Sequence, residues 1–264
     1  MRINSPEDAD SAKRRLGHQL KTSEAPQAAA LTITLGCCSK AKLCRSAACP
    51  VCGLAFQAAA VSTVDHFIRE PARAIRDRMH ALTIVPASGC VPPDALTLEA
   101  ILQVKAKIAA ALADLDLPPS ITALEVSFNE DATGEVEPHW CIHGHGLGLD
   151  WLSKAQEDGL RAAFPRSRWV KRPIKSEALD QNIRGRQYPF KPERSRRVTD
   201  LVTDDPKRGP YRDTRHRPLR PDQAATLALV EHQLGFEGRL LTHKIEREVV
   251  LRLLWACWRA RDGP

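Results

Sequence analysis

Residues 137–150 read EPHWCIHGHGLGLD and carry three of the chain's 9 histidines. In an extended strand successive side chains alternate faces, which puts His139, Cys141, His143 and His145 on one side. Trp140, Ile142, Gly144 and Gly146 then take the other side, where a core would cover them. Two imidazoles at i and i+2 on a pleated surface can close on one divalent cation, although the same spacing also serves solvated or hydrogen-bonded histidines. The surrounding chain has to decide between these readings.

Upstream, ITALEVSFNEDATG (121–134) reads as a strand running into a turn, from which the histidine strand returns. Leu124, Val126 and Phe128 occupy its apolar face and leave Glu125 opposite, where it can join His143 and His145 as a third ligand. His139 is the reserve ligand. From Leu96 to Leu115 the period is helical, with Ile101, Val104, Ile108 and Leu112 at three-to-four spacing and Pro118 and Pro119 as the stop. HALTIVPASG (80–89) is a further strand, closed by Pro86 and Gly89. Downstream, a helix is expected over about Ser153–Phe164, followed by a strand in SRWVKRPIK (167–175). The order strand, helix, strand, strand, helix, strand predicts an α+β fold. Its layout is the split β-α-β, an antiparallel sheet with helices on one face.

A second cluster lies nearer the N-terminus. Of 8 cysteines, five fall in CCSKAKLCRSAACPVCG (37–53). Cys49 and Cys52 sit either side of a tight turn, and Cys44 with either Cys37 or Cys38 completes four sulfurs, the set for a structural Zn²⁺. The alternative is a loop of free thiols. In small zinc modules the metal supplies about 10–16 kcal/mol of apparent folding energy, so loss of the ion should unfold this segment.

The 264 residues suffice for one sizeable core with a small appended module. Residues 1–30 are expected to form a flexible leader, and 31–78 a cysteine-rich zinc module with a helix from about Leu54 to Arg78. The sheet-forming domain occupies 79–197, a Pro- and Arg-rich linker 198–222, and a C-terminal helical region 223–264. No apolar run reaches membrane-spanning length, and the N-terminus is unlike a secretory signal, so a cytoplasmic protein without a membrane partner is expected. The net charge is +7. Between Arg161 and Arg197, twelve Lys or Arg stand against only Glu177, Asp180 and Glu193. Such a concentration of positive charge suits a nucleic-acid backbone or a merely solvated face. The candidate DNA contacts are Arg166, Arg168, Trp169, Lys171, Arg172, Arg184 and Arg186, with Trp169 available for base stacking.

Four features occur in one order: HALTIVP, CIHGHGL, QYPFK and the cysteine knuckle before them. The first resembles the scaffold-strand motif of rolling-circle replication initiators of the HUH endonuclease superfamily, the second their histidine pair, and the third their Tyr-x-x-Lys motif. The knuckle is similar to those preceding the catalytic domain in many such initiators. The match spans roughly Cys37–Pro192, and a histidine pair ahead of the tyrosine is the initiator order. Between the histidines stands Gly144, where that family carries a bulky hydrophobic residue, and Pro189 and Pro192 bracket the Tyr-x-x-Lys stretch.

The resemblance implies an HUH-type nuclease that nicks and rejoins single-stranded DNA at an origin. Tyr188 would be the nucleophile, Lys191 its partner, and Mn²⁺ or Mg²⁺ the catalytic ion on Glu125, His143 and His145. The expected partners are origin DNA and host replication proteins. A related single-strand transposase, or a non-enzymatic zinc-containing DNA-binding protein, are the alternatives. Tyr211 is the other tyrosine of the chain and lacks the Tyr-x-x-Lys context.

Overall fold

The computed structural model describes residues 3–68, 79–179, 183–192, 194–204 and 209–262. The chain enters through two helices, α1 (Pro6–Lys21) and α2 (Pro26–Gly36). Ser5 caps α1 in a reciprocal capping box with Asp8, which satisfies backbone donors that would otherwise be orphaned. Ala9, Ala12, Leu16 and Leu20 form its buried stripe, and α2 buries Ala28, Leu31 and Leu35. The flexible leader expected over residues 1–30 is therefore corrected for its described part. Small and aliphatic residues at helical spacing give both helices a face to bury, and high alanine content alone concealed it.

The cysteine segment leads into α3 (Pro50–Ile68), and the expected continuation of that helix to Arg78 lies outside the described residues. Next come β1 (His80–Ile84), a short β2 (Cys90–Val91) and α4 (Leu98–Asp114). Thr97 caps α4, whose face of Ile101, Val104, Ile108 and Leu112 is buried as the period required. Each such side chain contributes about 1.5–3 kcal/mol by leaving water. Strands β3 (Ser120–Asp131) and β4 (His139–Gly148) form the long central hairpin. Helix α5 (Lys154–Ala163), capped by Ser153, leads towards β5 (Ile174–Ala178). Strand pairing begins only at Ile174, not at Ser167. The stretch before it turns through a Ser167 N–H to Val170 carbonyl bond of 2.9 Å, and Pro173 offers no backbone donor to a ladder.

A short helix α6 (Ile183–Gln187) runs into a 3₁₀ turn at Tyr188–Phe190. Then β6 (Arg196–Val202) and β7 (Tyr211–Arg217) pair as an antiparallel hairpin. The linker expected over 198–222 is thus corrected, and so is the boundary at 197, which falls inside β6. Its composition of Pro, Arg and Asp hid two strands held by ion pairs and by the Thr199–Thr214 hydroxyl contact of 3.0 Å. Residues 205–208 lie outside the described residues. Helix α7 (Pro221–Arg239) kinks at Gly235, where φ is 65°. A short strand β8 (Leu240–His243) precedes α8 (Arg247–Asp262) and interrupts the helical region expected over 223–264.

Among the described residues the sheet has eight strands. Its main path is β5-β1-β4-β3-β6-β7, with β2 added on β4 and β8 on β3. All neighbours are antiparallel except β3 and β6. The architecture is a mixed α/β sheet with helices. Its largest hydrophobic cluster runs from α1 to α8 and includes a nest of Phe56, Phe190, Phe236 and Trp258. Phe56 stacks on Phe236 at 4.5 Å and meets Phe190 edge-on at 6.3 Å. None of the helices among the described residues is long and apolar enough to cross a membrane.

Candidate functional site

The β3–β4 register sets the site. Glu125 lies directly opposite His143, and Ala123 opposite His145, so these side chains project from one face. The other face is filled by packing. A Cβ on Gly144 would meet Thr122 Cγ2 at 3.0 Å and Ile108 Cδ1 at 3.2 Å, so α4 occupies the room that a larger residue between the histidines would need.

His143 and His145 are both buried. His143 Nδ1 lies 3.0 Å from the Cys141 carbonyl, and His145 Nδ1 lies 2.9 Å from Thr83 Oγ1. A proton on His143 Nδ1, donated to that carbonyl, leaves the Nε2 lone pair of this ring available to a metal, and the Thr83 contact orients the second ring likewise. The two Nε2 atoms approach Glu125 Oε2 to 3.9 and 3.2 Å. Despite this proximity Oε2 is a buried oxygen that accepts no well-aligned hydrogen bond. A cation between one carboxylate oxygen and two imidazole nitrogens would satisfy it, and the three ligand atoms lie within 4.8 Å of one another. That spread is compatible with common ligation at about 2.0–2.3 Å. Burial pushes the His143 pKa down to about 4, with the charges of His145 and Lys191 adding to the effect against the pull of Glu125. The ring is thereby held neutral, the form that binds metal. Burial works against the Glu125 charge, but the His145 contact and the charges of His143 and Lys191 outweigh it and hold the carboxyl below its usual range.

Tyr188 and Lys191 arrive from the 3₁₀ turn after α6. Lys191 Nζ lies 3.1 Å from Glu125 Oε1 and 4.3 Å from the centre of the Tyr188 ring. Burial opposes its charge, yet Glu125 and Tyr188 raise its pKa above the ordinary lysine value. The Tyr188 ring meets His145 edge-on at 4.9 Å, while the side chain remains 51% exposed. Five predicted residues, Glu125, His143, His145, Tyr188 and Lys191, are thus gathered in one place. Proline does not interrupt a helix here: Pro189 and Phe190 are buried and pin the turn so that Tyr188 is presented outward.

The reserve ligand His139 is not part of this group. Its Nδ1 lies 2.8 Å from the Glu137 carbonyl, and its ring stands 6.0 Å from Trp169. Four residues along an extended strand is about 13 Å, too far to share an ion with His143 and His145. Tyr211 opens β7 at the far end of the sheet path. Of the proposed DNA contacts, Arg166, Arg168, Lys171 and Arg172 are exposed. Arg186 is instead paired with Asp65, fastening α6 to α3. The Arg184 side chain lies outside the described residues.

Two contributors escaped the sequence reading. Thr83 faces His145 directly across the β1–β4 ladder, and its place in HALTIVP carried the signal. Cys90 faces Cys141 across β2–β4, and its pKa is lowered to about 6 by a hydrogen bond from Cys141, against burial and with help from His139.

The second cluster comprises Cys38, Cys44, Cys49 and Cys52. Sulfur separations of 3.6 Å (Cys38–Cys52), 3.6 Å (Cys44–Cys52) and 3.5 Å (Cys38–Cys49) approach the roughly 3.8 Å edge of a tetrahedron with 2.3 Å zinc–sulfur bonds. The Cys44 and Arg45 amides donate to Cys38 and Cys52 sulfurs, which stabilises thiolate charge. Hydrogen bonds from Cys49 and Cys52 lower the Cys44 pKa, whereas contacts with Cys38 and Cys44 raise that of Cys49. The four thiols cannot all ionise together without a cation. Cys37 is exposed and outside the cluster, so Cys38 supplies the sulfur left open between them. Both clusters could hold a metal ion. Comparisons with protein-family models, curated proteins and solved structures gave no match.

Proposed function

We propose that this protein nicks and rejoins single-stranded DNA through a 5′-phosphotyrosine link, as a replication initiator of the HUH type. The observation that carries this reading is the meeting of Glu125, His143 and His145 with Tyr188 and Lys191 on one sheet face. The strand order β5-β1-β4-β3, wholly antiparallel, with α4 between β1 and β3 and α5 between β4 and β5, supports the split β-α-β layout of such nucleases.

The donor set of two imidazoles and one carboxylate suits Mn²⁺ and accepts Mg²⁺. When bound, the ion would polarise a non-bridging phosphate oxygen and spread the charge that builds up in the transition state. The Tyr188 hydroxyl loses its proton to solvent, and its oxygen forms the new bond to phosphorus. The bond from phosphorus to the 3′ oxygen breaks, and that oxygen takes a proton from water to give a free 3′ hydroxyl. The Lys191 ammonium, 4.3 Å from the Tyr188 ring centre, draws the incoming phosphate by charge. Because the ester retains the bond energy, the reverse attack by a 3′ hydroxyl rejoins the strand. Zn²⁺ on Cys38, Cys44, Cys49 and Cys52 would be structural, since four thiolates leave no open position. Origin DNA and host replication proteins are the partners this role requires.

Incubation with Mn²⁺ and a randomised pool of single-stranded oligonucleotides tests the reading. Selected strands should be cleaved to an upstream fragment with a free 3′ hydroxyl and a downstream fragment linked to the protein through its 5′ phosphate, and chelation should abolish both. A pool left uncleaved with Mn²⁺ and with Mg²⁺ would contradict it.

A further inference from the structure

Beyond the metal site, the same sheet face continues into a groove of about 370 Å³. Residues directly opposite in paired strands share a face. Asn129 lies opposite His139 on one side and beside Arg197 on the other, Asp131 beside Thr199, and Thr199 opposite Thr214. These side chains line the groove, together with Lys171 and the half-buried Trp169 from the loop before β5. The β6–β7 hairpin is thus the wall of a cleft that opens on the face bearing Glu125, His143 and His145.

We infer that this cleft is a subsite for one unpaired nucleotide of the DNA strand, with the base stacked at Trp169 and its edge met by Asn129, Thr199 and Thr214. The inference rests on the nuclease reading and extends it to where the strand runs. Three features carry it. Trp169 is held as a platform, with the Arg168 guanidinium 4.4 Å from its ring centre on one side and the His139 ring 6.0 Å away. Aromatic faces accept any base, and an arginine over the ring adds to the stack. The carboxylates in the cleft are already matched, Glu130 by Arg196 and Arg220, and Asp131 by Arg212. Arg197 and Lys171 therefore set the sign of the field, which suits a phosphate backbone. Finally, the cleft lies about four strand residues, or roughly 13 Å, from the metal ligands, a span that a few nucleotides of extended strand can cover.

Binding of a labelled oligonucleotide selected for affinity, followed by fluorescence anisotropy without added Mn²⁺ or Mg²⁺ so that the knuckle keeps its zinc, separates this inference from catalysis. Trp169→Ala should weaken binding by about 5- to 140-fold, the worth of one stacked base, without changing the salt slope. Trp169→Phe should recover most of the loss, and Trp151→Ala, in an exposed loop residue, should have no effect. An abasic position scanned along the oligonucleotide should reproduce the loss at one site with wild-type protein, and should cost Trp169→Ala nothing further there. Because the scan uses wild-type protein, it decides the matter even if a variant folds poorly. Tight binding that is indifferent to Trp169→Ala and to every abasic position would overturn the subsite and leave the nuclease reading intact. Binding with the expected pattern but without cleavage would sustain the subsite and sink the nuclease. Absence of binding by wild-type protein would overturn both.

Discussion

Gly53 and Pro192 are packed so closely that a Cβ added to the glycine would lie 2.6 Å from the proline Cβ. Gly53 follows the last cysteine of the knuckle, and Pro192 follows Lys191. The cysteine cluster is thereby joined to the turn that presents Tyr188. Two further ties run the same way: Gln57 Nε2 donates to the Gln187 carbonyl at 3.0 Å, and Asp65 pairs with Arg186. Helix α3 acts as a bracket between the two candidate metal centres.

Gly53→Ala should therefore destabilise the protein by about 1–3 kcal/mol, the usual cost of overpacking a close backbone approach. It should leave the knuckle cysteines in place. The expected result is a lower thermal midpoint and reduced DNA cleavage with unchanged zinc content. A variant as stable and active as wild type would show that the contact does not position the turn.

The knuckle itself can be dissected by elemental analysis. Cys49→Ser should lose the zinc and unfold the segment around residues 38–52, whereas Cys37→Ser, at an exposed position outside the cluster, should retain it. Equal zinc loss in both variants would contradict the assignment of Cys38, and no zinc in wild-type protein would contradict the site.

Acid sensitivity follows from His143. Its folded pKa of about 4 lies below the ordinary value of 6.5 because the ring is buried, so the unfolded chain binds the proton more readily. The associated stability is fully present above about pH 6.5 and is lost as pH falls towards 4, by about 3 kcal/mol in total. Glu125, whose carboxyl is held below its usual range, adds a second loss at lower pH. Denaturant unfolding of the zinc-loaded protein without Mn²⁺ or Mg²⁺ should show this slope, and His143→Gln should flatten it over the upper window. Identical slopes in the two proteins would mean that another group controls the acid limb.

Much of this was legible in the sequence because period and register are local. Alternation in TALEVSF and CIHGHGL was enough to bring Glu125, His143 and His145 to one face, since both strands belong to one hairpin. Three-to-four spacing likewise marked the buried face of α4. What failed to show was tertiary. In the N-terminal helices Ala9, Ala12 and Ala28 share the buried stripes with Leu16, Leu20, Leu31 and Leu35, and a stripe of so few large side chains does not declare itself until a partner surface is known. In β6 and β7 the strands are stabilised by Arg–Asp and Arg–Glu pairs across elements, so a charged composition passed for a linker. Gly144 departs from the expected motif, and the packing of Ile108 and Thr122 that leaves no room for a larger residue there could not be read from the strand alone. Choosing Cys38 over its neighbour Cys37 needed the direction of each side chain at the end of α2, which spacing does not give.

The central claim is that Tyr188 attacks DNA from a turn fixed beside Glu125, His143 and His145. Proteolysis and mass spectrometry of the reaction with Mn²⁺ and a selected oligonucleotide test it most directly, by locating the peptide that carries the nucleotide. The account predicts a nucleotide on the peptide containing Tyr188. It also predicts complete loss of adduct and cleavage in Tyr188→Phe, with DNA affinity and its salt dependence retained, and undiminished activity in Tyr211→Phe. An adduct on another residue, or cleavage by Tyr188→Phe at the wild-type rate, would contradict it.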